Sequence, residues 1–166
     1  MKIVFHERYF TSGYSMDPAA SPGRLEGIMD VLKSKIDYEI IKPKPASEED
    51  ILKAHTKRHL QYIKRDELLF EMSSLAAGGS ILAAHEGYNG TPTFAVIRPP
   101  GHHASADSCW GFCFFNNVSI SLLKLYSESK IKSAFILDFD LHTGDKIFNS
   151  ISNRLWQYQY LKEQRR

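Results

Sequence analysis

Phe94-Ala95-Val96-Ile97-Arg98-Pro99-Pro100-Gly101-His102-His103-Ala104 is the stretch on which the fold turns. Its four leading apolar residues are too few for a helix and are closed by a proline pair, so they read as a buried strand. A second segment repeats the plan: Ala134-Phe135-Ile136-Leu137, then Asp138-Phe139-Asp140-Leu141-His142. Two polar clusters just past the ends of two buried strands are what an α/β site requires, because such sheets bind ligands outside the carboxyl ends of their strands. The residue types suit metal-assisted hydrolysis. Adjacent imidazoles can move protons, and a carboxylate with an imidazole can hold a divalent ion. Asp140 and His142, at i and i+2, can point the same way.

Outward from these segments, strand-like and helix-like stretches alternate. Met1 to His6 reads as a first strand and Tyr38 to Ile41 as a second. Ser21-Pro22 can open a helix carrying Leu25, Ile28, Leu32 and Ile36 at helical spacing. Ser47-Glu48-Glu49-Asp50 is a capping box, and Thr56 can cap a helix carrying Leu60 and Ile63. Leu75 to His85 reads as a buried helix with Gly78-Gly79 inside, and Asn116 to Ser127 as another. This alternation predicts α/β architecture, a parallel sheet flanked by helices on both faces with right-handed crossovers.

Composition sets the outer limits. A chain of 166 residues with 43% hydrophobic and 24% charged residues fits one ordinary domain. A net charge of +2 gives no basis for nucleic-acid or membrane binding. Neither a long apolar run nor a signal peptide is evident, so a cytoplasmic location is the default expectation. Cys109 and Cys113 are expected to be packed thiols rather than a zinc knuckle or a disulfide.

Arg98-Pro99-Pro100-Gly101-His102-His103-Ala104, Gly111-Phe112-Cys113-Phe114-Phe115-Asn116-Asn117 and Leu137-Asp138-Phe139-Asp140-Leu141-His142-Thr143-Gly144-Asp145 together resemble the histone deacetylase and acetylpolyamine amidohydrolase family. Weaker agreement runs through Ser21-Pro22-Gly23-Arg24, His55-Thr56, His59-Leu60 and Tyr62. The resemblance covers roughly residues 1–149. It implies an arginase/deacetylase-like three-layer sandwich and hydrolysis of an acetylated amine, acetyl-lysine or acetylpolyamine, by metal-activated water.

The resemblance also assigns roles. Asp140 and His142 would be zinc ligands. His102 and His103 would be the tandem catalytic histidines, oriented by Asp138 and Asp145 respectively. Gly111 and Phe112 would belong to the substrate channel, although Phe112 reads equally as a core aromatic. A monovalent cation near Asp138, with the backbone carbonyls of Asp140 and His142, is also implied. Arg98 reads as a structural anchor for loop carbonyls. His6, His55, His59 and His85 read as surface or core histidines without roles.

The family's catalytic domains are about twice this length by the same resemblance, and a third metal carboxylate and a transition-state tyrosine come from their later half. Here the pattern breaks at Lys146-Ile147-Phe148, and no Asp follows Asp145. Residues 1–149 are therefore expected to be the N-terminal portion of the family domain, and 150–166 a divergent tail. Ile151, Leu155, Tyr158 and Lys162 fall at helical spacing in that tail, which predicts a helix covering apolar sheet surface. A homodimer burying that surface is the alternative cover. Three functions compete: a zinc-dependent deacetylase, a catalytically silent deacetylase-like scaffold or binding domain, and a manganese ureohydrolase. The last is disfavoured because its ligand run is D-x-H-x-D, not the D-x-D-x-H present here. The expectation is a truncated hydrolase of non-peptide C–N bonds, inactive alone, with weak zinc binding.

Overall fold

The structure, a computed structural model, describes residues 1–35 and 38–142 and the backbone of 156–160. Its first sheet has three parallel strands in the order β2-β1-β3. The central strand β1 (Lys2–Val4) pairs with β2 (Glu39–Ile41) and β3 (Thr93–Ala95), Ile3 lying opposite both Ile40 and Phe94. Successive strand residues face opposite sides, and Ile3 and Val4 are both fully buried, so both faces of β1 are covered. A second parallel sheet joins β4 (Ala134–Asp138) to β5 (Trp156–Tyr160).

The crossover from β1 to β2 contains α1 (Glu26–Lys35), which begins later than Ser21-Pro22 predicts. Ser21 instead ends a short 3-10 turn, Pro18–Ala20, and Gly23 has φ +87°, which a continuous right-handed helix cannot contain. The buried anchor of α1 is Met29, whereas Ile28 is exposed; Ile36 lies outside the described residues. Between β2 and β3 run α2 (Glu48–Ile51), α3 (Lys57–Ile63) and α4 (Glu67–Tyr88). Their caps follow the sequence: Ser47, Thr56 and Asp66 accept from the N–H groups of Asp50, His59 and Leu69.

The helix α4 is long and apolar enough to match a membrane span by length and composition. Its apolar residues have a local use, since Met72, Leu75, Ala76 and Ala77 are buried in the domain core. Gly78 and Gly79 let it approach closely. A Cβ on Gly78 would lie 2.9 Å from the Ala46 nitrogen, and one on Gly79 would lie 2.6 Å from Ile97 Cγ2. The following helix α5 (Asn117–Ser127) packs along α4, with Ser80 and Ser121 hydroxyls 3.1 Å apart.

Two sequence expectations need correction. The strands around the site are not buried on both faces: Ile136 is buried, but Phe94, Phe135 and Leu137 stand about half exposed. The tail expectation of a helix fails at Trp156–Tyr160, which is a strand in register with β4. It pairs with β4 from Ala134 to Asp138, and Trp-Gln-Tyr-Gln-Tyr alternates with the strand period of two. Ile151, Leu155 and Lys162 lie outside the described residues.

Candidate active site at the strand ends

Past β3 the chain passes through buried Arg98, whose Nη2 donates to the Ser21 carbonyl at 3.0 Å, as an anchor should. Its guanidinium sits over the Phe112 ring, 5.2 Å from the centroid. The Nε and Nη1 groups of Arg98 and the Tyr14 hydroxyl are buried without hydrogen-bond partners among the described residues. Phe112 is buried in the main core cluster, beside Tyr14 at 5.6 Å.

His102 and His103 follow, their ring centroids 4.0 Å apart. His103 is buried and stacks on Trp110 at 3.7 Å. Gly111, at φ +61°, brings backbone to the edge of this ring: a Cβ there would touch His103 Cδ2 at 3.8 Å. His102 Nδ1 lies 3.1 Å from Asp138 Oδ2, at the end of β4, so the first sequence-assigned pair is formed. The other Asp138 oxygen accepts from the Asp140 backbone N–H at 3.1 Å. Asp145, assigned to His103, lies outside the described residues.

The turn after β4 presents Asp140 and His142. Asp140 Oδ1 accepts from the His142 N–H at 2.8 Å and lies 3.3 Å from His142 Nδ1. Burial pushes the Asp140 carboxyl up, but the His142 N–H and the His102 and His142 imidazoles outweigh it and hold it below the usual carboxylate range. The His142 ring is 6.1 Å from that of His103. His102, His103, Asp140 and His142 therefore lie close together just past the ends of β3 and β4. A cavity of about 330 Å³ opens beside them, lined by Ile97, Gly101, His102, Asn117, Ile136 and Asp138 among others.

A catalytic zinc ion takes three protein ligands and keeps a fourth position for water. Asp140 and His142 are two suitable donors, but among the described residues no group of three or more His, Cys, Asp or Glu side chains is placed to hold a metal. The described donors do not by themselves fit a catalytic zinc. Cys109 and Cys113 are free thiols. Burial pushes Cys113 up to about 12 and raises Cys109 as well, so neither offers a ready thiolate.

The residues that sequence reasoning left without roles are the second histidine pair. His55, just before the Thr56 cap of α3, and His59, in its first turn, are buried and stacked at 4.8 Å. His55 Nε2 accepts from the Asn116 N–H at 2.9 Å, and His59 Nε2 lies 2.7 Å from the Phe114 carbonyl. Burial, then the neighbouring His59, pushes His55 down to about 3; burial likewise lowers His59. Both are neutral at pH 7. The i, i+4 spacing was visible in the sequence, but the partner segment was not.

Comparison with known proteins decides the lineage. Residues 18–154, most of the chain, match the histone deacetylase domain. The chain belongs to the histone deacetylase family. The match runs past residue 149, where the motif resemblance ended. A probable deacetylase of Archaeoglobus fulgidus is 34% identical, with 86% of this chain and 45% of that protein covered. Histone deacetylase HDA1 of Saccharomyces cerevisiae is 37% identical, with 87% and 26% covered. The crystal structure of the HDA15 HD domain superposes with a TM-score of 0.85 at 24% identity, covering 98% of this chain and 54% of that one. This deacetylase-family chain thus shares the fold of that domain and spans about half the length of the archaeal relatives it matches.

Proposed function

We propose that this chain carries the proton-transfer half of a zinc-dependent deacetylase site, whose reaction is hydrolysis of acetylated amines such as acetyl-lysine or acetylpolyamine. The observation that carries the reading is the His102–Asp138 pair at 3.1 Å beside the stacked His103 ring. A carboxylate accepting from Nδ1–H fixes the imidazole tautomer and makes its other nitrogen more basic. With Asp138 as acceptor, the His102 Nε2 lone pair is free to take a proton from an attacking water. His103, held against Trp110, supplies the second imidazole, suited to protonating the leaving amine.

The same reading assigns Asp140 and His142 to the metal, with a third donor and a hydrogen-bond donor for the tetrahedral intermediate coming from beyond the described residues. Loss of one such oxyanion donor costs about 10²–10³ in rate, so the chain alone is inactive. The alternative reading, a catalytically silent deacetylase-like scaffold or binding domain, is favoured by the lack of a group of three or more metal donors among the described residues.

The test is hydrolysis of acetyl-lysine peptides and acetylpolyamines by the purified chain, with and without added zinc. No turnover above that of a His102→Ala/His103→Ala control is expected. Robust turnover that vanishes in His103→Ala contradicts the inactive reading and establishes a complete site.

A further inference from the structure

The segment that bears Trp110 and Phe112 is held at both ends by residues 55–59, which lead into α3. At one end the Thr56 N–H donates to the Ala106 carbonyl at 2.8 Å, the Thr56 hydroxyl donates to Asp107 at 2.8 Å, and Arg58 Nε donates to the same carboxylate at 3.0 Å. At the other end His59 and His55 engage Phe114 and Asn116. Asn116 then reaches the site: its Nδ2 donates to the Ala104 carbonyl at 2.9 Å, next to His103. Asn117 Nδ2 donates to the Pro99 carbonyl at 3.0 Å on the other side of the histidines. Between these contacts Gly101 sits on the same backbone, where a Cβ would be 2.7 Å from the Asn117 nitrogen and 3.2 Å from Asn116 Cα.

The backbone from Pro99 to Ala104 thus rests on Asn116 and Asn117, and the Asn116 N–H in turn needs an acceptor. Asn116 is fully buried, so that N–H has no water to turn to. The acceptor is His55 Nε2. We propose that His55, with His59 stacked on it, is a positioning residue for the His102–His103 pair and acts on it through Asn116. This rests on the reading of His102 and His103 given above, but its test does not use hydrolysis. The tautomer follows from the geometry. With Nε2 accepting, His55 carries its proton on Nδ1, which lies near the Ser105 and Ala106 backbone.

Long-range ¹⁵N–¹H spectra of the histidine rings test this in the full chain at pH 7.5, with amide exchange measured alongside. Wild type and His55→Gln, whose amide oxygen can replace the Nε2 acceptor, should both show His102 in a single tautomer with its proton on Nδ1. His55→Leu and His59→Phe should show averaged tautomer shifts at His102 and at least tenfold faster exchange of the Asn116 amide. If His55→Leu does not fold, His59→Phe decides in the same way. His102 and His103 ring signals that superimpose on wild type in the folded variant overturn the proposal and leave His55 as core packing alone. A chain that hydrolyses nothing leaves these spectra unaffected, so the two readings fail separately.

Discussion

His102 Nδ1 and Asp138 Oδ2 meet at 3.1 Å across 36 residues of sequence. The contact joins the loop after β3 to the end of β4, strands that belong to different sheets among the described residues. It therefore serves both orientation and stability. Asp138 is nearly buried and also holds the Asp140 N–H. Hydrogen bonds to charged groups contribute about 1.5–3 kcal/mol each. Asp138→Ala should lower unfolding free energy in urea by about 2–3 kcal/mol, whereas Asp138→Asn, which keeps an acceptor oxygen, should lose less. Equal loss in both variants would show that the carboxylate's charge, not its geometry, matters.

The buried histidines give the fold a pH dependence. His55 is held down to about 3 in the folded chain, against about 6.5 unfolded. A depressed histidine contributes full stability above the unfolded value and loses it as pH falls toward the folded one. Between pH 7 and pH 5 the His55 contribution should fall by about 2 kcal/mol, at 1.36 kcal/mol per unit. His59, lowered in the same direction, adds to the slope. Urea midpoints at the two pH values check this, and His55→Gln should flatten the curve.

Two glycine substitutions should behave in opposite ways. Gly101→Ala drives a methyl group into the Asn116–Asn117 backbone, which cannot swing aside like a side-chain tip. Overpacking of this kind costs about 1–3 kcal/mol. Gly87, in the last turn of α4, has nothing within 4 Å of its would-be Cβ. Gly87→Ala should stabilise by about 0.5–1 kcal/mol through helix propensity. Thermal unfolding of the two variants measures both signs.

Much of the site was legible from local signals. Polar residues just after apolar strands, and caps such as Ser47 and Thr56, are encoded within a few neighbouring positions, and the structure places them as read. What escaped was non-local. His55 and His59 read as surface or core histidines without roles until Phe114 and Asn116 are folded against them. The exposure of Phe135 and Leu137 depends on what lies across the sheet, which no local run encodes. In the tail, helical spacing of Ile151, Leu155, Tyr158 and Lys162 competed with the two-residue alternation of Trp156, Tyr158 and Tyr160. Pairing with β4 accompanies the strand at Trp156–Tyr160.

The described residues hold an oriented histidine pair and two metal donors, without a group of three. Zinc content after purification and dialysis, followed by calorimetric titration with zinc, tests it most directly. Two exposed donors, Asp140 and His142, should retain no stoichiometric metal and bind added zinc weakly. One tightly held zinc per chain, lost in Asp140→Ala or His142→Ala, would contradict the account by showing that a third ligand is already in place.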